Sequence, residues 1–447
     1  MNYRLVLSNS LCVLLLCFCT ACASHPATNA AGPSEQSPIL TMLPNGDNPK
    51  DLSFISNELA NYQKKSGIRV NSLAAYDNVD TRLSLLRDVF AKKSSELDII
   101  GIDNIWPGLL AGDLLDLKPY VGDELTAIDK GLLNAFTVEG RLVALPYSME
   151  TAVLFYRTDL LVKYGYKRPP QTWDELGSMA KVIQAGERRA GKADFWGYVW
   201  QGAEGESLNC NAMEWQRAES GDLIDNAGVV SASNPAAEYA LTRARSWIGT
   251  ISPPGTVEYD EEDSANVWLA GSAAFARGWT PSWGASNASP VVSKSFATAP
   301  LPAGRRGYAW TFGGMGLAVS KYSAHPEAAA QVLRYLVSSE VQRRRLISTS
   351  TAPSLTTLLN DATLLRSTAF NGWFGQHWQV GMFARPSSVT GKKYGAISRA
   401  YSKAVHDVIS GKRDPHEASM HLQVELDFLM RSPSLPATVP VVYQFPR

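Results

Sequence analysis

Leu97-Asp-Ile-Ile-Gly-Ile-Asp103 is the stretch on which the fold turns. Its apolar residues run on without alternation, so a strand here is buried on both faces, as the strands of a parallel sheet are. Upstream, residues 79–92 read as a helix, and Ile68-Arg-Val-Asn-Ser-Leu73 reads as a strand before it. Earlier still, Phe54, Ile55, Leu59 and Tyr62 recur at helical spacing within residues 52–64, and Gly67 stops that helix. Ser37-Pro-Ile-Leu-Thr-Met-Leu43 is a further apolar run that ends in the loop Pro44-Asn-Gly-Asp47. Strand, helix, strand, helix, strand in this order predicts an α/β fold with a parallel sheet covered by helices. Ligands bind such sheets at the carboxyl ends of their strands, and Asp103 stands just past one.

Downstream, Gly140-Arg-Leu-Val-Ala-Leu-Pro-Tyr147 is a strand running into a proline corner, and Val153-Leu-Phe-Tyr-Arg157 is another. Thr158 or Asp159 can cap a helix over 160–164. Thr172 is placed as the N-cap of a helix beginning at Trp173, with Glu175 three residues later to close a capping box. Near the end, residues 399–409 read as a helix stopped by Gly411, and 416–430 as another. No internal repeat is visible.

The first residues concern the compartment. Arg4 is the only charge before the apolar run 11–18, and Thr20, Ala21, Ala23 and Ser24 supply a small-residue exit. These are the parts of a secretory signal peptide. The run is shorter than the roughly 20 residues a membrane helix needs; an uncleaved signal anchor is the alternative. Residues 23–38, rich in Ala, Ser, Pro and Gly, read as a tether. Four of the five cysteines (Cys12, Cys17, Cys19, Cys22) lie in the export segment, leaving Cys210 alone, so no disulfide framework is available.

About 425 residues remain after processing, enough for two lobes of globular size. Forty-two basic side chains balance 42 acidic ones, so there is no electrostatic footprint for nucleic acid. Twelve Trp and 17 Tyr are many; aromatics are core material first, but flat rings also stack on the C–H faces of sugars.

The ordered segments resemble the bacterial extracellular solute-binding proteins for sugars, in their trehalose/maltose-binding branch. The resemblance runs from about residue 39 to 425 and rests on Asp98-Ile-Ile-Gly-Ile-Asp-Asn-Ile-Trp-Pro107, Leu154-Phe-Tyr-Arg-Thr-Asp-Leu160 and Tyr166-Lys-Arg-Pro-Pro-Gln-Thr-Trp173. Trp196-Gly-Tyr-Val-Trp-Gln-Gly202, Leu208-Asn-Cys-Asn-Ala-Met-Glu-Trp215, Ala274-Phe-Ala-Arg-Gly-Trp279, Gly313-Gly-Met-Gly-Leu-Ala-Val-Ser320 and Arg385-Pro386 continue it. It implies a periplasmic-binding-protein-like fold: two α/β lobes, a hinge, and a ligand cleft between them. Residues 1–22 become a signal peptide of lipoprotein type and 23–37 a tether. Lobe I takes 38–147 and 313–349, and lobe II takes 148–312 and 350–440. Cys19-Thr-Ala-Cys22 resembles a lipoprotein box with Cys22 as the acylated residue, although Cys19 stands where Leu is usual; plain cleavage nearby is the alternative.

The resemblance also implies the site. Asp103 matches an acidic residue that binds sugar hydroxyls, a task suited to a carboxylate with two strong acceptor oxygens; capping the Trp106-Pro107 segment is its structural alternative. Glu150 lies where the family has Asp; a solvated loop carboxylate is its alternative. Trp279 matches a stacking tryptophan, with a core residue as the alternative, and Pro281 stands in place of the usual tyrosine after it. Trp283 matches as well, with packing as an equal reading. Met315 replaces a tryptophan floor with a side chain that is apolar but not flat, and Trp310 or Phe312 is a substitute only if not core. Gly313 and Gly314 suit close approach of backbone to ligand. Arg385 matches an arginine whose fixed donors fork onto sugar oxygens, with a structural salt bridge as the alternative. Glu206 matches a pocket glutamate, flanked by Gly205 and Ser207 where Tyr and Gly are usual. Gln201, Asn209 and Cys210 also match, with Cys210 read as a buried small apolar residue.

The implied protein is a monomeric, non-catalytic carrier without cofactor or metal. It works outside the inner membrane, binds a disaccharide by lobe closure and hands it to the membrane subunits of an ABC importer. A glycoside hydrolase using Asp103 and Glu150 as acid and base is a rival. Against it, no Gly-x-Ser-x-Gly, His-Glu-x-x-His or phosphate-loop motif appears, and the six histidines are scattered. The same fold carrying another oligosaccharide, a peptide or a polyamine is the second rival; the mixed acid and arginine rim favours sugar.

Overall fold

The alternation of apolar runs resolves into two sheets. The structure, a computed structural model, describes residues 38–44, 49–74, 79–349, 351–366 and 380–432. The expected signal peptide, tether and Cys22 therefore lie outside the described residues.

The first sheet has the order Arg69–Ser72, Ile39–Leu43, Ile99–Asp103, Met315–Val319, Leu145–Pro146. Its first three strands are parallel, as their helical connections demand, and Pro49–Ser66 and Val79–Ala91 are those connections. Met315–Val319 then enters antiparallel against Ile99–Asp103, far along the chain. Leu40, Met42, Ile99, Ile100, Leu317 and Val319 are fully buried in the core beneath this sheet.

The second sheet has the order Met382–Phe383, Trp310–Gly313, Ser148–Arg157, Ala273–Trp279, Trp196–Val199, with Phe296–Ala299 and Ala352–Pro353 also paired to Ser148–Arg157. One of its faces carries an aromatic core. Trp200 meets Trp215 edge-on at 4.9 Å between centroids, and Tyr198 meets Trp247 edge-on at 5.5 Å. Trp106, Trp173, Trp200, Trp215 and Trp310 are all fully buried, so much of the tryptophan excess is core rather than binding surface. The helices Tyr394–Ile409 and Pro415–Arg431 complete this core through Tyr401, Val405, Leu422 and Leu426.

The two lobes are joined where Leu145–Pro146 of the first sheet leads into Ser148–Arg157 of the second, and where Trp310–Gly313 leads back into Met315–Val319. Leu355, Leu358, Leu364 and Leu365 pack in the first core, and Met382–Phe383 pairs with the second sheet. Apolar residues of a short helical stretch fit either core, so composition could not assign them.

Thr172 caps its helix as expected, accepting from the Glu175 amide at 3.2 Å. The Glu175 carboxylate draws on the Thr172 amide in return, accepts from the Gln171 amide at 2.8 Å, and is gripped by both Arg168 guanidinium nitrogens at 2.7 and 3.0 Å. The forked cation adds the strongest of these contacts.

Candidate functional site

Strand register gathers the site at the second of these crossings. Asp103 ends its strand directly opposite Met315. One residue earlier stands Gly314, at φ +128°, where an added Cβ would lie 2.3 Å from the Ser148 carbonyl oxygen. Only glycine fits both constraints. The Gly314 carbonyl accepts from the Asn104 amide at 3.2 Å. Gly313 pairs with Glu150, and a Cβ on Gly313 would stand 2.9 Å from the Trp279 ring. Trp279 itself pairs with Ala152 on the next strand. Asp103, Glu150, Trp279, Gly314 and Met315 thus converge on three consecutive backbone positions of one crossing.

Arg385 joins this group through charge. It follows the Met382–Phe383 strand and is buried. Its Nη1 donates to Glu206 Oε2 at 2.8 Å, and its Nη2 to Asn104 Oδ1 at 2.8 Å and more distantly to Asp103 Oδ1 at 3.5 Å. Its Nε is buried without a hydrogen-bond partner among the described residues. Glu206 opens the helix Glu206–Ala218, where a carboxylate is favoured. The Tyr394 hydroxyl donates to Glu206 Oε2 at 2.9 Å, and the Ser398 hydroxyl donates to Oε1. Asn104 Nδ2 in turn donates to the Phe312 carbonyl at 2.8 Å, tying the first lobe to the second.

Asp103 does not cap the short helix Pro107–Leu110, whose N-cap is Trp106 with no side-chain bond. It accepts instead from the Ile105 amide at 3.1 Å, also on Oδ1. Desolvation pushes its carboxyl above the usual Asp range, against the pull of the Arg385 charge and the Ile105 amide. Burial and the neighbouring Glu206 carboxylate likewise hold the Tyr394 phenol well above its ordinary value, so it is a neutral donor.

Trp279 is held from behind. The Arg277 guanidinium lies 4.2 Å from its ring centroid. Arg277 is fully buried and paired with Glu214 at 2.8 Å, and Glu214 also accepts from the Thr311 amide at 3.2 Å and from its hydroxyl.

Trp283 packs on Phe296 with centroids 5.9 Å apart, and Trp310 and Phe312 are buried, so neither of the latter two replaces the missing floor at Met315. Glu150 is half-buried and is one of the acids around the Arg345 guanidinium, which is itself bound to Asp51 at 2.6 Å. Gln201 Nε2 donates to Ser264 Oγ at 2.7 Å and to the Arg277 carbonyl at 3.0 Å, and Asn209 Nδ2 donates to Ser398 Oγ at 3.0 Å. Burial pushes the Cys210 thiol up to about 11, an inert small residue as expected.

Asn104, Tyr394 and Ser398 are participants that the sequence did not single out. Asn104 carried a usable signal, its place beside Asp103 in the loop after a strand. Tyr394 and Ser398, one helical turn apart, carried none beyond that spacing.

Residues 46–343 match the family model described as bacterial extracellular solute-binding protein. A probable ABC transporter-binding protein of Deinococcus radiodurans is 40% identical over 372 residues, covering 82% of this chain and 87% of the relative. The maltodextrin-binding protein MdxE of Bacillus subtilis is 28% identical over 240 residues, half of this chain and 52% of its own length. The structure of maltose-bound MalE3 from T. maritima superposes with a TM-score of 0.78 at 30% identity, over 88% of this chain and 99% of the other.

Proposed function

This chain belongs to the bacterial extracellular solute-binding proteins, and from that premise we propose that its cargo is a disaccharide of the maltose or trehalose kind, held by closure of the two lobes. As a family member it is the extracellular solute-binding component of an ABC transporter, and the family is one of carriers rather than enzymes.

The observation that carries the sugar reading is the meeting of Asp103, Arg385 and Glu206 near a half-buried tryptophan that Arg277 braces. A carboxylate and a guanidinium side by side accept from and donate to neighbouring hydroxyls, while an indole suits a ring of C–H groups. Both contacts of Asp103 among the described residues fall on Oδ1, which leaves Oδ2 for a hydroxyl. The Arg385–Asp103 contact, at 3.5 Å, is the longest in the network, and a sugar oxygen inserted there replaces the least energy. That maltose is bound by MalE3 in its solved structure supports a glucoside as cargo here.

The same geometry supports closure. Asp103 and Asn104 belong to the first lobe's strand end, and Glu206 and Trp279 to the second lobe. A sugar bridging them gains bonds from both lobes only in the closed form and shifts the equilibrium toward it. The importer's membrane subunits read that closed outline. Met315 supplies an adaptable apolar contact where relatives are expected to stack a flat ring, so the ring above it is held by hydrogen bonds more than by stacking. The carrier acts as a monomer, tethered by a lipid on Cys22.

Titration calorimetry of the processed chain against trehalose, maltose, maltotriose and sucrose tests this. At least one of the four binds with one-to-one stoichiometry and is recovered intact. Silence across the panel, or release of monosaccharide, rejects the proposal.

A further inference from the structure

The first crossing between the lobes is gripped from one face of the helix Ser339–Thr349, which packs on the first core through Leu346. Gln342 and Arg345, one turn apart on it, are both sealed from solvent. Gln342 Nε2 donates to the Tyr147 carbonyl at 2.8 Å, and Arg345 Nη1 donates to the same oxygen at 3.1 Å. Both lone pairs of that carbonyl are thus engaged. Gln342 Oε1 accepts from the Ser354 amide at 3.3 Å, and so reaches the end of the strand Ala352–Pro353, which lies against Ser148 and Met149. Arg345 is anchored in turn to the helix Pro49–Ser66, where Asp51 takes its Nε and Nη2 at 2.7 and 2.6 Å. Its guanidinium lies 3.8 Å from the Tyr147 ring centroid. The Tyr147 amide donates to the Met315 carbonyl at 2.8 Å, and the Met315 amide to Ser148 Oγ at 3.2 Å, so the two crossings are tied to each other at the same point.

Core membership marks where this hold ends. Tyr147 and Met149 pack in the first core, whereas Ala152 packs in the second. Thr151 already exchanges bonds with Thr280 of the second lobe, donating to its hydroxyl at 3.3 Å and accepting from its amide at 3.0 Å. Glu150 stands between the two regimes. Bending the chain before Glu150 would break hydrogen bonds among buried groups, one of them from a guanidinium, and a buried bond left unmade is costly. We propose that Gln342 and Arg345 clamp Tyr147–Met149 to the first lobe, so that closure bends this crossing at Glu150 and no earlier, and that Gln342 thereby sets cargo affinity as a positioning residue that never touches the cargo. This rests on the closure reading above and deepens it. Without the clamp the bend spreads back toward Tyr147 and the unliganded lobes sample more arrangements. Cargo then draws on a smaller closure-competent fraction, which lowers its apparent affinity in proportion.

Gln342→Met, of similar length but without donor or acceptor, is the test. Spin labels on Lys92→Cys and Lys181→Cys, exposed positions of the first and second lobes, report the interlobe distance by double electron–electron resonance, and the buried Cys210 takes no label. Without sugar the parent chain gives a narrow distance distribution and Gln342→Met a clearly broader one. In calorimetry with the disaccharide selected above, Gln342→Met binds on the order of tenfold more weakly. Leu333→Ala truncates the first core without removing a bond to either crossing; it lowers the unfolding midpoint and moves neither readout. Gln342→Glu keeps the acceptor for Ser354 and loses the donor to Tyr147, and it takes the place of Gln342→Met should that variant not fold, with broadening again expected. A distribution as narrow as the parent's, or equal broadening in Leu333→Ala, overturns the clamp whatever the cargo is. Broadening with unchanged affinity overturns its part in setting affinity. Broadening with no sugar of the panel bound supports the clamp and removes the disaccharide cargo instead.

Discussion

Gly314 shows how much rests on single positions at the crossing. Its φ of +128° and the 2.3 Å separation between an added Cβ and the Ser148 carbonyl leave no room for a side chain. Gly314→Ala is expected to destabilise by about 2–4 kcal/mol, from left-handed backbone strain plus overpacking, read as a lowered midpoint in denaturant unfolding. Trp279→Ala is the complementary case. It removes the stacking face but leaves Arg277 paired with Glu214, so sugar binding falls below detection while the unfolding midpoint moves little. Asp103 makes binding sensitive to acid. Its carboxyl is raised by desolvation, so as pH falls it takes up a proton earlier than an ordinary Asp and stops being a two-oxygen acceptor. Sugar affinity measured from pH 7 downward is expected to drop at a midpoint above the usual Asp range, and Asp103→Asn, weaker throughout, loses that dependence. Of this network, Asp103, Glu206 and Arg385 were legible through the resemblance. Tyr394 and Ser398 were not, because a polar pair on a helix nearly 190 positions from Glu206 gives no sign of which acid it will face.

Elements were legible where one force governed them. The strand over 97–102 and its two preceding helices follow from burial on both faces and from 3.6-residue spacing, and the structure keeps them within a few residues. The helix from Trp173 to Arg189 shows where local rules yield. Its Thr172 cap forms, and Glu175 also takes both Arg168 guanidinium nitrogens, a partner upstream of the cap that the box motif does not specify. At its other end Glu187 ties the helix to Lys163 and Lys192, at 2.6 and 2.7 Å. Burial alone would raise this carboxyl, but the two lysines and Tyr164 outweigh it and hold it at about 2. Because the folded value lies below the unfolded one of 4.5, the pair stabilises above pH 4.5 and that contribution is lost as pH falls toward 2. Glu187→Gln is therefore expected to destabilise by roughly 1–2 kcal/mol at pH 7, with the gap to the parent chain closing between pH 4.5 and 2 in a series of urea titrations.

At the scale of the whole molecule, two lobes share one chain that crosses between them, and the crossings rather than either core carry the site. A sequence pattern reports burial well and crossings poorly. The leucines at 355–365 had the composition of either core, and only tertiary packing assigned them to the first. The tryptophans were similarly ambiguous: five are sealed in the interior, whereas Trp279 is only half-buried. What the fold adds to the family membership is support for the proposed closure, since the acids and the arginine of the candidate site are drawn from both sides of the crossing. The most direct test is a crystal structure of the processed chain grown with the disaccharide that calorimetry selects. The account predicts one sugar ring against Trp279, with hydroxyls bonded to Asp103 and Arg385 and the two lobes closed upon it. A sugar seated away from all three residues, or held by one lobe alone, would contradict it.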